Sequence, residues 1–193
     1  MKNIEVFMEK NKKLRLLVTT DCPNHCPLCC NNRFDFDKLP VVDRWDYDEI
    51  MITGGEPMLF PAHLHNILGT IRETQKVMGI PRSKIYVYTA NINILCSAVT
   101  MNALDGIVYT PHSEKELIRF LDINARITDF DVDYKSLRLN LFPDVKKLLE
   151  NKRIAGYRGT YLSYWQVKDI KWVKDCPVPE GEDFRRIAKL WEM

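Results

Sequence analysis

The sequence predicts an α/β fold built on an open, curved parallel sheet with helices on its outer face. Three observations carry that expectation. Short β-rich runs alternate with amphipathic segments along the chain. Some runs are apolar throughout, as strands covered on both faces are. Six such strand-then-helix units are too few to close an eight-stranded barrel, which takes about 250 residues. The 193 residues form one domain by this reading, with a core over 14–165 and a C-terminal helical extension over 166–193.

Taken in order, "LRLLVTT" (14–20) reads as a buried strand and runs directly into a cysteine-rich loop. "EIMITGG" (49–55) is the second strand, ending in two glycines. Residues 61–78 place Leu64, Ile67, Leu68, Ile71 and Met78 on one helical face, with Pro61 suited to the first turn. "KIYVYTAN" (84–91) is the third strand, followed by a short helix around 93–104. "GIVYT" (106–110) is the fourth, and Ser113 with Glu116 has the spacing of a capping box opening a helix to about Asp122. "SLRLNLF" (136–142) is the fifth, after which Pro143 starts a helix with Val145, Leu148 and Leu149 inward. "GTYLSYW" (159–165) reads as the sixth strand. A terminal helix over 182–191 would bury Phe184, Ile187, Leu190 and Trp191. Between the first two strands, residues 31–48 are acidic and aromatic and contain Pro40, so no regular helix is expected there.

Composition excludes several classes. Hydrophobic residues make up 46% and charged residues 28%, ordinary for a globular protein. A net charge of +2 gives no case for nucleic acid or a membrane surface. No apolar run approaches the roughly 20 residues of a membrane span. Charges in "MKNIEVFMEKNKKLRLL" sit where a signal peptide needs an apolar stretch. The expected compartment is the cytoplasm, where thiols stay reduced and a cysteine cluster binds metal more readily than it forms disulfides.

Four of the six cysteines fall within "TTDCPNHCPLCCNN" (19–32). Cys22, Cys26 and Cys29 are spaced Cys-x3-Cys-x2-Cys, a loop able to wrap three thiolates around one corner of an iron–sulfur cubane. Four irons need four outer ligands, and no good fourth cysteine is present. Cys30 adjoins Cys29, while Cys96 and Cys176 stand alone. Three ligands leave one iron open, and an open metal position is a chemical site. The alternative on spacing is a structural zinc knuckle using Cys22, Cys26, Cys29 and either Cys30 or His25, although the second ligand pair usual for such sites is missing. Gly54-Gly55-Glu56-Pro57 closes the second strand: glycines permit close backbone approach, Glu56 adds a carboxylate and Pro57 stiffens the exit.

"CPNHCPLC" followed by "ITGGEP" resembles the radical S-adenosylmethionine (radical SAM) superfamily. The resemblance spans roughly residues 14–165, with Leu28 standing where that family usually has an aromatic residue. It implies a partial (β/α)6 TIM-type barrel and a 4Fe–4S cluster on Cys22, Cys26 and Cys29. S-adenosylmethionine would chelate the open iron, with Gly54, Gly55 and Glu56 holding its amino group. An electron, from a donor such as flavodoxin or ferredoxin, would cleave it to a 5′-deoxyadenosyl radical that abstracts hydrogen from a substrate. Thr89 and Asn91 of "YTAN" resemble the family's Thr-Asn-Gly, and Thr110 and His112 end the fourth strand where members contact ribose. Thr89 and Asn91 equally suit a helix cap. Arg138 and Asn140 share a face of the fifth strand and could meet a carboxylate or ribose, or simply solvent.

The substrate stays open between a small molecule enclosed by 31–48 and the C-terminal tail, and a partner protein, as for enzymes that install a glycyl radical. A non-catalytic zinc or iron–sulfur protein is the rival from another class. Three further features carry less. "DFDVDY" (129–134) lacks the glycine and glutamate of a calcium loop. Asp35, Asp37, Asp43, Asp46 and Asp48 read as a solvated run that could cover the site. The aromatic, lysine-rich 157–174 reads as packing, not as a nucleic-acid platform.

Overall fold

The apolar runs pair side by side into a seven-stranded, all-parallel open sheet in the order β6-β5-β4-β3-β2-β1-β7. The computed structural model describes residues 12–24, 26, 29–32, 34–91, 102–129, 132–151, 154, 156, 161–173 and 178–193. The strands are β1 (Lys13–Thr19), β2 (Glu49–Gly54), β3 (Lys84–Thr89), β4 (Gly106–Tyr109), β5 (Ser136–Leu141), β6 (Gln166–Asp169) and β7 (Glu182–Trp191). Among the described residues three helices are bounded between them: α1 (Pro61–Val77), α2 (Glu114–Asn124) and α3 (Pro143–Glu150). Pro61 and Pro143 open α1 and α3, where a missing N–H costs nothing. Ser113 caps α2 by accepting from the Glu116 amide at 3.3 Å, as its spacing predicts.

Period-2 alternation decides which side of the sheet the helices cover. Leu14, Leu16, Ile50, Ile52, Ile85, Val87, Leu137 and Leu139 form one core with Leu64, Leu68 and Ile71 of α1, Leu117, Phe120 and Leu121 of α2 and Val145 of α3. The intervening residues, among them Lys13, Arg15, Tyr86, Tyr88, Arg138 and Asn140, point to the opposite face. All three helices therefore pack on one face, and the strand ends that carry the cysteine loop and the Gly-Gly turn lie at one edge. The described residues of 30–48 form short 3-10 turns at Cys30–Asn32 and Phe36–Lys38 and an isolated bridge from Val41 to Arg186, in keeping with the irregular link expected there. No helix among the described residues is long and apolar enough to cross a membrane.

Two assignments differ from expectation. The terminal segment is a strand, not a helix, so the described residues of the 166–193 extension form strands where a helix was expected. β7 pairs in parallel with β1, and its outer edge is bonded by Val42 N–H to Arg186 O at 2.8 Å and by Arg186 N–H to Pro40 O at 3.0 Å. The cause of the misreading is a register shift: Leu17 faces Arg186 and Thr19 faces Trp191, so two steps on β1 match five on β7. Three extra residues interrupt the period-2 pattern and leave Phe184, Ile187, Leu190 and Trp191 at helix-like spacing. The sixth strand lies at Gln166–Asp169 instead of 159–165; residues 157–160 are outside the described ones. The aromatic density that drew the assignment belongs to a loop, where buried Trp165 packs edge-on to Phe120 at 4.8 Å and donates to Asn124 Oδ1 at 2.8 Å. The strand itself is an exposed edge without the apolar content the pattern seeks. The helix expected near 93–104 falls largely on 92–101, outside the described residues.

β7 is held at its far end by a buried hydrogen bond from Thr19 Oγ1 to the Trp191 carbonyl, 2.7 Å. Replacing Thr19 by Val keeps the shape and removes the donor. The expected loss is about 1–3 kcal/mol, the cost of stranding a buried acceptor. A shifted urea midpoint with an unchanged m-value would register it, and an unshifted midpoint would deny the bond that role.

Candidate functional site

Gly54 has φ +133°, and a Cβ there would sit 2.2 Å from the Thr19 carbonyl oxygen. At Gly55 an added Cβ would lie 2.0 Å from the Asp21 carbonyl oxygen. What the two glycines approach is thus the chain's own backbone, at the residues leading into the cysteine loop. Two hydrogen bonds close the contact: Gly55 N–H to Thr19 O at 2.6 Å and Glu56 N–H to Asp21 O at 2.7 Å. Asn31, on the far side of the loop, donates to Gly54 O at 2.5 Å. The end of β2 and both arms of the loop are therefore one unit.

Glu56 knots that unit to β3. Its carboxylate is 3% exposed and accepts from Met58 N–H (2.9 Å), Thr89 Oγ1 (2.6 Å), Ala90 N–H (2.8 Å) and Asn91 N–H (3.2 Å). Burial pushes its pKa up, and the four donors pull against that. The side chain expected to hold a ligand's amino group is thus fully engaged in positioning the turn. Pro57 is buried in the 3-10 turn that follows.

The cysteine loop folds over this base. Cys29 N–H donates to Cys26 O at 3.0 Å and Asn32 N–H to Cys29 O at 3.1 Å, while Asn32 Nδ2 reaches Cys26 O at 3.2 Å. Cys22, Cys26 and Cys29 carry free, half-buried thiols. Burial pushes the Cys22 thiol up; the nearby Asn24 backbone draws it down, and Glu56 and Cys29 add to the upward push. Burial, then the proximity of Cys29 and Cys22, pushes Cys26 from 9.0 to about 11. Positive charge brought to the loop would reverse this, and binding it would release protons. Cys30 lies in the Cys30–Asn32 turn, while His25, Leu28, Cys96 and Cys176 lie outside the described residues.

All three thiols open onto a cavity of about 420 Å³, within the range of ligand sites. Gly54, Gly55, Glu56, Thr89, Thr110, His112 and Asn140 also line it. Thr110 and Asn140 are linked by Asn140 Nδ2 donating to Thr110 Oγ1 at 3.2 Å. His112 lies tilted beside the Phe142 and Trp172 rings, with centroids at 5.6 and 5.7 Å, and its Nδ1 is 3.4 Å from Asn24 Nδ2. Burial draws its pKa down while Glu116 draws it up, and the net shift is downward. Three expected residues are not in the lining: Pro57, buried in its turn, Asn91 and Arg138. The Asn91 amide serves Glu56 and the Thr89 hydroxyl, and Arg138 is exposed, with its guanidinium 5.9 Å from the Tyr86 ring centre.

Sequence reasoning missed Arg15, Asn31, Phe34, Tyr88, Phe142, Trp172 and Phe184, which also line the cavity. Alternation along β1 puts Arg15 on the same face as Lys13 but gives no sign of its partner. Phe184 was assigned to a helix face. Of the acidic stretch, Asp43 bonds Arg185 at 2.6 Å and Asp48 accepts from Lys12 N–H at 2.7 Å, so these charges are tied at the sheet edge. Among the described residues no three or more His, Cys, Asp or Glu side chains are gathered to hold a metal ion. A second cavity of about 350 Å³ reaches Cys22, Cys26 and Cys29 beside Asp21 and Met193.

Scanned against protein-family models, the chain matches none, and a search of curated proteins finds no match.

Two outcomes test this geometry. Gly55→Ala must displace the Asp21 backbone, so a loss of more than about 3 kcal/mol or failure to fold is expected in chemical denaturation. In the metal-free folded chain at pH 8, Cys26 should alkylate roughly a hundredfold more slowly than in the unfolded chain, from the gap between about 9 and about 11. Equal rates, read by mass spectrometry of the modified peptide, would contradict it.

Proposed function

We propose that the chain is a radical SAM enzyme, carrying a 4Fe–4S cluster on Cys22, Cys26 and Cys29 and binding S-adenosylmethionine in the adjoining cavity. One observation supports this most: the three cysteines of a Cys-x3-Cys-x2-Cys loop and Gly54, Gly55 and Glu56 of the Gly-Gly-Glu-Pro turn, distant in sequence, line one cavity at the C-terminal ends of parallel strands. Ligands of parallel α/β sheets bind at that edge. The donor set fits the group. Three half-buried thiols on one loop suit a multi-iron cluster, whereas a single zinc ion wants four ligands converging on one point. A partial (β/α)6 barrel belongs to the same proposal, since β1 to β6 lie in sequence order with the helices on one face; β7 adds a strand beyond β1.

When bound, cluster and cosubstrate would together supply a 5′-deoxyadenosyl radical for hydrogen abstraction. The chain's own residues position and enclose. Gly54 and Gly55 let β2 lie close beneath the loop, which fixes where the thiolates point. Glu56 locks the turn to Thr89 and Ala90, so its charge is spent on geometry. Thr110, His112 and Asn140 offer hydrogen-bonding groups across the cavity, and Phe142 and Trp172, stacked at 4.2 Å, wall off water. An electron donor such as flavodoxin or ferredoxin is the proposed partner. The substrate is a small molecule or a partner protein.

Anaerobic purification and reconstitution should give a brown protein with about four irons and four sulfides per chain. With S-adenosylmethionine and dithionite it should form 5′-deoxyadenosine, and Cys26→Ala should lose at least about a hundredfold of that activity. A colourless chain with one zinc, or a Cys26→Ala variant as active as wild type, would overturn the proposal.

A further inference from the structure

The face of the sheet opposite α1, α2 and α3 supplies the cavity with a guanidinium group placed for a ligand. Arg15 stands on β1, and its side chain is 21% exposed. Its Nε donates to Glu182 Oε2 at 2.8 Å and its Nη2 lies 2.7 Å from the same oxygen. The guanidinium carbon sits 5.7 Å from the centre of the Tyr88 ring. Glu182 thus grips one edge of the group, which leaves the Nη1 hydrogens without a partner among the described residues. A guanidinium fixed on one side and open on the other loses little entropy on binding an anion.

The surroundings favour negative charge and an apolar body. Alternation places Lys13, Arg138 and Lys168 on the same face as Arg15, against Glu49 and Glu182. Glu49 is already paired with Lys13 at 3.0 Å. The carboxylate of Glu56 is enclosed by its four donors. Beside Arg15 the cavity wall is aromatic: Tyr88, and Phe34 edge-on to Phe184 with centroids at 5.1 Å.

We propose that Arg15 is the anion-recognition residue of this cavity and that the substrate is a small molecule joining a carboxylate or phosphate to a planar or apolar body. The anionic group meets Arg15 Nη1, and the body packs against Tyr88, Phe34 and Phe184. As a statement about a substrate this rests on the radical SAM reading; as a statement about binding it rests on the cavity alone.

The test is titration of the full chain, as isolated and after iron–sulfide reconstitution, with 3-phenylpropionate and its neutral amide by ligand-observed NMR. Phenyl phosphate against phenol gives the same comparison for a phosphate, and the tighter of the two anions names the source. Wild type should prefer an anion over its neutral partner by about tenfold, the worth of a charge-assisted hydrogen bond. Arg15→Met should abolish the preference and Arg15→Lys should keep part of it. Because Arg15→Met strands Glu182, the double variant Arg15→Met/Glu182→Gln is measured beside it, with circular dichroism to confirm folding. Equal wild-type affinity for anion and neutral partner, or an unchanged preference in the folded variants, would overturn the proposal. So would an equal loss of methionine binding in Arg15→Met, which would give Arg15 to the cosubstrate's carboxylate. The cluster reading fails on iron content and this one on ligand preference, so the two failures are separable.

Discussion

The contact on which the rest depends is between two stretches of backbone. Gly54 and Gly55 pass so close beneath Thr19–Asp21 that no side chain fits between them. Hydrogen bonds from the Gly55 and Glu56 amides then hold the start of the cysteine loop, and Asn31 holds its other end. A loop rich in polar residues and proline has little apolar surface with which to fix itself. Here its position is borrowed from β2, a buried strand of the central sheet, so the rigidity of the core is passed to three thiols. The end of β7 and the residues after it add a second tether, through Thr19 Oγ1 to the Trp191 carbonyl and Met193 N–H to Asp21 Oδ2 at 2.8 Å.

Electrostatics complete the picture. Burial and mutual proximity keep the Cys22 and Cys26 thiols protonated, and the one buried carboxylate nearby is committed to backbone amides and a threonine. The loop therefore presents thiols whose charged form waits on a cation. Metal binding should be coupled to proton release and should strengthen as pH rises, because the folded thiol of Cys26 lies above its unfolded value. Arg15, oriented by Glu182, and the aromatic rings of Tyr88, Phe34 and Phe184 line the same cavity as the thiols.

Much of this was legible in the sequence, and the failures have physical causes. Apolar β-rich runs marked β1 to β5 because strands in the middle of a parallel sheet cannot hide their composition. Pro61, Pro143 and Ser113 marked three helix starts by chemistry that acts within a few residues. The cysteine spacing and the Gly-Gly turn were readable for the same reason. β6 was displaced because an edge strand needs no apolar content, whereas the loop before it buries Trp165. β7 was read as a helix because a register shift broke its alternation. Arg15 went unseen because its partner, Glu182, is 167 positions away, and no local pattern announces such a pair. Arg138 and Asn140 share a face as alternation requires, yet only Asn140 lies far enough along β5 to reach the cavity.

The central claim is that the three-cysteine loop leaves one iron of a cluster without a protein sulfur, facing the cavity. Electron–nuclear double resonance on the reduced, reconstituted protein with S-adenosylmethionine labelled by 15N at its amino group and 17O at its carboxylate tests this most directly. The account predicts hyperfine couplings from both labels, as expected of direct ligation to a single iron. A cluster signal with neither coupling, or irons all bound to protein ligands, would contradict it.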